Sequence, residues 1–325
     1  MRVYGYYYAI MQVTIKWNIL SLGEWSSYFS NIRRSNLLQD YSYAKAVAPL
    51  YGQRPKWGLI DIDGQPAGLC QVMEASMLWG AVHAVMLDRG PLWFDGYGDQ
   101  DHILAFAAEM QRLYPRRLGR KRRFLPECTG SDAFTQAMSE MGWARQGDDL
   151  YKTLWIDVTQ DQETLRAALR KSWRQSLVKA EKSAMSISWD VTPELVGLNL
   201  KRYELDKIDK GYSGPDVKVL RSLCSVYAAE KKILLATAFL DKKPIAGILI
   251  LCHGSSATYQ MGWSDQKGRH VCAHHRLLWE ATLKLKATGF SDFDLGGIND
   301  TDAKTVKTFK SGMGAQAVQL AGMYG

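Results

Sequence analysis

The residues best suited to carry chemistry lie near the end of this 325-residue sequence. The stretch DLGGINDTDAKTVKTFKSGMGAQ, Asp294 to Gln316, sets Lys310 between Phe309 and the pair Ser311-Gly312. A fixed ammonium beside a carbonyl under attack by an amine would stabilise the oxyanion more in the transition state than in the ground state. The plainer use of a lone lysine is to lay its stem on apolar surface and its charge in water. Asp294 precedes Gly296-Gly297 in a strand at least half buried, where a carboxylate needs a partner. A lysine in the following loop would supply one, with Asp294 either a base or a structural anchor.

Four other places offer binding groups. LLQDYSYAKA gives Gln39, Tyr43 and Lys45 at a helix start; Tyr43 could stack on a base or sugar and Lys45 meet a phosphate, or Tyr43 packs in the core and Lys45 is solvated. Arg89 in DRGPLW could clamp a phosphate or carboxylate bidentately, or pair structurally with Asp88 or Asp95. Tyr212 and Tyr259 are candidate cleft aromatics that could equally be packing residues. HVCAHH, His270 to His275, has a metal-like spacing but no acidic companion, and it opens a helix, so no metal site is expected. There is no G-x-S-x-G elbow and no Walker loop.

The elements that must position these groups are mixed α and β. KWGLIDID, a turn at Gly64-Gln65 and PAGLCQVME predict a hairpin; ILLATAFL, a turn at DKKP and IAGILILCH predict another. Each is followed by a strand (AVHAVMLDRGPLW; SSATYQMGW), an amphipathic helix (Asp101 to Tyr114; His274 to Gly289) and a further strand (RRFLPE; SDFDLGG). The same unit thus occurs twice, with a boundary expected near Thr159: a first domain over 1–159 and a second over 160–325. Leu165 to Trp189 predicts a basic helix entering a strand.

The totals bound the class. The apolar and charged fractions, 46% and 23%, are those of a globular protein. Five scattered cysteines without a C-x-x-C pair point to a reducing compartment. No apolar stretch reaches a membrane span, and the aromatic N-terminus lacks a cleavage site, so the cytoplasm is expected. Met11 offers an alternative start. The net charge of +8 is uneven: PRRLGRKRR, Pro115 to Arg123, holds six basic residues in nine. Such a run suits tRNA, a pyrophosphate-linked substrate or an anionic membrane, or is simply a solvated connection.

A hairpin, strand, helix, strand unit is the outline of the GNAT acyltransferase fold. Two in tandem, carrying LLQDYSYAKA, DRGPLW, LRKSWRQSLVKAEK, ATYQMGWSD, DFDLGGIND and FKSGMGAQ in that order, resemble the Fem-type (FemABX) peptidyltransferases in their compact form without the helical arm. The resemblance covers almost the whole chain from Leu37 onward. It implies an α/β fold of mixed sheets in two tandem GNAT-like domains. It further implies transfer of an amino acid from aminoacyl-tRNA to the amine of a nucleotide- or lipid-linked peptidoglycan precursor. It puts Lys310 in the active-site channel as the catalytic residue, with Gln39, Tyr43, Lys45, Arg89, Lys210, Tyr212, Tyr259 and Asp294 as substrate-binding candidates. Lys207 and Lys210 stand where an arginine is expected for precursor binding. The implied address is the cytoplasm, with residues 115–123 available for contact with the inner face of the membrane.

The turn that cradles the pyrophosphate of coenzyme A in acetyltransferases of this fold reads DQKGRHVCAHH and DGYGDQDH here, and neither fits. Acetyl-CoA is therefore disfavoured as donor, and no cofactor is expected. Two alternatives stay open: a CoA-dependent N-acyltransferase acting on a polysaccharide or small amine, and a basic RNA- or membrane-binding module without catalysis.

Overall fold

Two-residue turns start both hairpins. In the computed structural model, which describes residues 11–298 and 304–325, Asp63 and Gly64 have φ of 52° and 82°, and Asp241 and Lys242 have 50° and 62°. Paired left-handed residues match the twist of the flanking strands, which moves the first turn one residue earlier than Gly64-Gln65. The first ten residues and the Asn299-Asp300 end of DFDLGGIND lie outside the described residues.

The chain divides into two compact units, Met1–Tyr151 with Gln319–Gly325, and Lys152–Val318. The expected boundary near Thr159 falls inside the second unit, because Lys152–Asp157 is a strand of the second sheet. The last seven residues belong to the first unit rather than the second.

In the first unit β1 (Val13–Trp17), β2 (Arg54–Ile62), β3 (Gln65–Met77) and β4 (Val82–Asp88) form an antiparallel run, and β5 (Leu92–Trp93) pairs with β3. β6 (Arg120–Leu125) then pairs parallel with β4, His83 opposite Arg120. β15 (Met323–Tyr324) lies between β6 and β7 (Arg145–Gln146). Helices α1 (Leu22–Ser30), α2 (Tyr41–Val47), α3 (Gln100–Leu113) and α4 (Asp132–Glu140) complete it. Phe106 and Met110 of α3 and Phe134 and Met138 of α4 meet Ile60, Val72, Val85 and Phe124 of the sheet in one core.

The second unit repeats the plan. Its sheet includes β8 (Lys152–Asp157), β9 (Ser186–Ser188), β10 (Ile233–Leu240), β11 (Lys243–His253), β12 (Ser256–Ser264), β13 (Asp292–Ile298) and β14 (Gln316–Gln319), in the order β14-β8-β13-β12-β11-β10-β9. Again one neighbouring pair, β12 and β13, is parallel. The predicted basic helix is split into α5 (Gln162–Ala168) and α6 (Lys171–Glu181), and the break falls where the Arg170 N–H donates to the Gly312 carbonyl at 2.9 Å. β11 is buried along nearly all its length because helices cover it on both sides. On one side α6 and α10 (Ala273–Ala287) pack Leu177, Leu277 and Leu278 against Ile248 and Ile250. From α7 (Pro193–Lys210), Asn199 donates to Thr237 and accepts from Trp263 Nε1, both at 2.7 Å. A side chain at Gly247 would collide with that amide. α8 (Val217–Ala229), α9 (Gln266–His270) and α11 (Lys304–Ser311) complete this unit.

Candidate active site

The feature that builds the site is the parting of two parallel strands. β12 and β13 pair only over Ser256–Thr258 and Asp292–Asp294, although both strands continue further. β12 carries a bulge between Tyr259 and Met261, and β13 shifts register against β8 after Asp294. A bulge at such a point re-aims side chains and ends pairing. Gly296, at φ 78°, lets the backbone turn here; a Cβ on it would lie 3.2 Å from the Tyr259 carbonyl and 3.8 Å from Lys310 Nζ.

Lys310 reaches this gap from the last turn of α11. It is buried, its Nζ donates to the Gly297 carbonyl at 3.2 Å, and its charge lies 5.6 Å from the centre of the Tyr259 ring. Burial draws its pKa down to about 8, and the nearby Asp294 carboxylate works in the opposite direction. The ammonium is therefore retained at neutral pH in a low-dielectric site. Asp294 is fully buried; its carboxylate accepts from the Thr153 hydroxyl of β8 and, at 2.8 Å, from the Gly296 N–H. Thr153 carries no motif that would have marked it in the sequence.

The remaining second-unit candidates gather around Tyr259. Burial pushes the Tyr259 hydroxyl upward, with smaller contributions from Tyr203 and Asp206. Tyr212 donates to Asp206 at 3.2 Å, and Lys210 forms an ion pair with the same carboxylate at 2.6 Å. A Cβ on Gly262 would collide with the Tyr259 hydroxyl and come within 2.8 Å of His274 Nε2, which places those two polar atoms beside one another. Burial holds His274 down to about 4, opposed by a hydrogen bond at the Gly247 backbone, and its Nε2 is buried without a partner. It is neutral at pH 7, and absent from the sequence-derived set because HVCAHH draws attention as a metal spacing. The residues of that run do not share one helix: α9 ends at His270, and α10 starts at Ala273 after Cys272 in the left-handed region. Among the described residues no group of three or more His, Cys, Asp or Glu could hold a metal.

Phe309, next to Lys310, lines two cavities of about 430 and 200 Å³. The larger is also lined by Arg170, Ser172 and Trp173, the smaller by Arg269 and His274, and His275 borders both. The rings of Trp173 and Phe309 lie 4.8 and 4.9 Å from that of His275. Gly314 packs against Ala168, and Gly312 lies against Trp173 on the wall of the larger cavity, where a side chain would strike that ring.

The structure places the first-unit candidates as follows. Gln39 is buried; its amide donates to the Gln71 and Asp88 carbonyls at 3.2 and 2.8 Å and accepts from the Gln71 N–H at 2.6 Å, tying its turn to β3 and β4. Arg89 is buried in a bidentate pair with Glu127 at 2.7 and 2.8 Å, stacked 5.3 Å from Tyr151, so its partner is neither Asp88 nor Asp95. Tyr43 is half-buried; burial first, then Asp88, pushes its pKa up to about 12. Lys45 is exposed in the last turn of α2.

The turn after β12, where a pyrophosphate cradle would lie, already carries an anion. Asp265 caps α9 by accepting from the Gly268 N–H at 2.8 Å, and a Cβ on Gly268 would strike the Ile245 carbonyl. In the first unit Asp99 likewise caps α3 by accepting from the His102 N–H at 2.9 Å.

Two sheets of one plan, each with a parallel pair of neighbouring strands, and a buried cation where the pair of the second unit parts, are the outline of a tandem acyltransferase of the GNAT kind. Residues 145–310 match the model of the acetyltransferase (GNAT) domain family, over half of the chain, and the chain belongs to that family. No curated protein matches it in sequence. Among solved structures it is similar to FemX, with a TM-score of 0.78 at 14% identity over 95% of this chain and 96% of that one. A tandem GNAT protein from the clavulanic acid biosynthesis pathway gives 0.53 at 13% identity over 97% of each chain. The C-terminal domain of a putative lysylphosphatidylglycerol synthetase from Agrobacterium fabrum gives 0.52 at 12% identity, covering 88% of this chain and 87% of that one. The two GNAT-like domains and the transferase class expected from the sequence both hold.

Proposed function

We propose that this transferase moves an aminoacyl group from aminoacyl-tRNA to the amine of a peptidoglycan precursor peptide. The observation that carries the reading is the buried Lys310 ammonium at the parting of β12 and β13. The precursor amine attacks the ester carbonyl of the donor, negative charge gathers on the carbonyl oxygen, and as the C–O bond breaks the ribose oxygen takes the proton that the amine gives up and leaves as the tRNA hydroxyl. A preorganised cation in a dry site stabilises that oxygen without reorganisation. The aromatic wall of Trp173, His275 and Phe309, with Arg170 and Arg269 beside it, suits a nucleotide terminus whose base stacks while its phosphates meet arginine. The carboxylate caps at both candidate pyrophosphate turns favour tRNA over CoA as donor. The similarity to FemX in fold supports the acceptor class.

The test is mass spectrometry of a muramyl-pentapeptide precursor, in nucleotide- and lipid-linked forms, after incubation with the protein and either mixed charged tRNAs or acetyl-CoA. A gain of one amino-acid mass in the tRNA arm, lost in Lys310→Ala, is expected. An acetyl gain would establish a CoA-dependent N-acyltransferase instead, and no gain in either arm would reject the acceptor.

A further inference from the structure

A different part of the first unit brings together two segments that the sequence holds nearly forty residues apart. The turn between β3 and β4 exposes Met77, Leu78 and Trp79 at 69, 72 and 107%, and Leu118 beside it is 99% exposed. Their proximity is fixed by hydrogen bonds: the His83 N–H donates to the Gly119 carbonyl at 2.8 Å, and the Arg117 guanidinium donates to the Gly80 and Ala81 carbonyls at 2.5 and 3.2 Å. Leu78 and Trp79 both sit at φ 50°, a conformation that bulky side chains rarely adopt. Core packing does not account for it, because the side chains it presents project into water.

The two segments that build this apolar tip carry charge of one sign, and the carboxylate at its base, Glu74, lies 3.7 Å from His83 and is paired with Lys56 at 3.0 Å. Neither Ala75–Leu87 nor Pro115–Pro126 contains an acidic residue. The six basic residues of the second segment divide by role. Arg122 is buried, stacked 4.1 Å from Trp143. Arg123 is paired with Asp88, and Arg120 donates to His83 and the Pro115 carbonyl. Arg116 and Lys121 are exposed and form no ion pair among the described residues.

We propose that the β3–β4 turn and the Arg116–Lys121 segment form a docking surface for an anionic phospholipid bilayer. Leu78, Trp79 and Leu118 would enter the headgroup–acyl boundary while Arg116, Arg117 and Lys121 meet the phosphates. Tryptophan suits that boundary because its ring is apolar and its N–H polar, and the combination of an apolar wedge with a basic rim is what holds proteins at the interface without spanning it. No helix among the described residues is long and apolar enough to cross. The aliphatic Met77, Leu78 and Leu118 argue for lipid over RNA, which would use rings for stacking rather than branched chains. This surface stands apart from the acyl-transfer reading, and its test involves no catalysis.

The experiment is flotation of the full chain with vesicles of phosphatidylcholine alone or mixed with phosphatidylglycerol, at low and high salt, alongside a tRNA binding titration. Binding to the anionic vesicles only, weakened by salt, is expected. The Trp79→Ser/Leu118→Ser variant should bind roughly tenfold more weakly or worse, and Arg116→Ala and Lys121→Ala about fivefold more weakly each. All these positions are at the surface, so unchanged circular dichroism and Tm accompany the loss. Absence of binding to anionic vesicles overturns the proposal, as does binding that survives loss of Trp79 and Leu118. Retention on tRNA through Arg116 and Lys121, without vesicle binding, would assign the surface to RNA.

Discussion

Replacing Lys310 by methionine should stabilise the fold while abolishing transfer. The Lys310 side chain is only 8% exposed, and burial takes its pKa from the usual 10.5 to about 8 against the pull of Asp294. At about 1.4 kcal/mol per pH unit, keeping that buried ammonium protonated costs the folded state about 3 kcal/mol at pH 7. The folded pKa lies below the unfolded one, so the cost is present in full below about pH 8 and fades as pH rises towards 10.5. Methionine retains the unbranched stem without the charge. It also leaves the Gly297 carbonyl without the donor that reaches it at 3.2 Å, a loss of about 1 kcal/mol. The expected net gain at pH 7 is about 2 kcal/mol, or a rise in Tm of about 4–8 °C for a unit of this size. Scanning calorimetry of both proteins at neutral and strongly alkaline pH reads it. A variant less stable than its parent at pH 7, or a gain that persists unchanged at pH 10, would refute the argument that a costly buried charge is kept here for chemistry.

The same lysine should set the alkaline limb of the pH profile: kcat/KM falls as pH rises through about 8, and an active Lys310→Arg variant would lose that limb, because guanidinium stays charged. His274 and His275 are both held down to about 4, mainly by burial. The stability each contributes is complete above about 6.5 and is lost as pH falls from there towards 4; their imidazole NMR shifts should stay flat from pH 8 to 5, and inflections near 6.5 would contradict this. Arg89→Ala leaves the half-buried Glu127 without its guanidinium partner and removes a buried side chain, so it should cost about 2–3 kcal/mol in urea unfolding. A loss of activity at unchanged stability would restore Arg89 as a ligand clamp.

Much of the site was legible because local rules apply to it. Asp294 in a buried strand, two glycines after it and a lone lysine next to Phe309 are features of a single contiguous segment, and the structure places Asp294 and Lys310 at one strand parting. Tyr259 belongs to the strand that forms the other side, and its inclusion came from the resemblance. What satisfies Gln39 and Arg89 was not legible, because polarity in sequence says nothing about its partners. Their partners, Gln71 and Glu127, lie 32 and 38 residues away.

The sequence by itself determined the duplicated hairpin, strand, helix, strand plan, because hydrophobic period and turn chemistry act over a few residues. It also marked Lys310 and the basic run at 115–123. Only tertiary structure decided that Lys310 is desolvated rather than solvated, that Gly314 packs against Ala168, and that His274 lacks a partner for Nε2. It likewise set Trp79 beside Leu118 and separated the structural arginines from the available ones. Burial, and hence the charge state and availability of a group, depends on neighbours brought from across the chain. No local pattern encodes those neighbours.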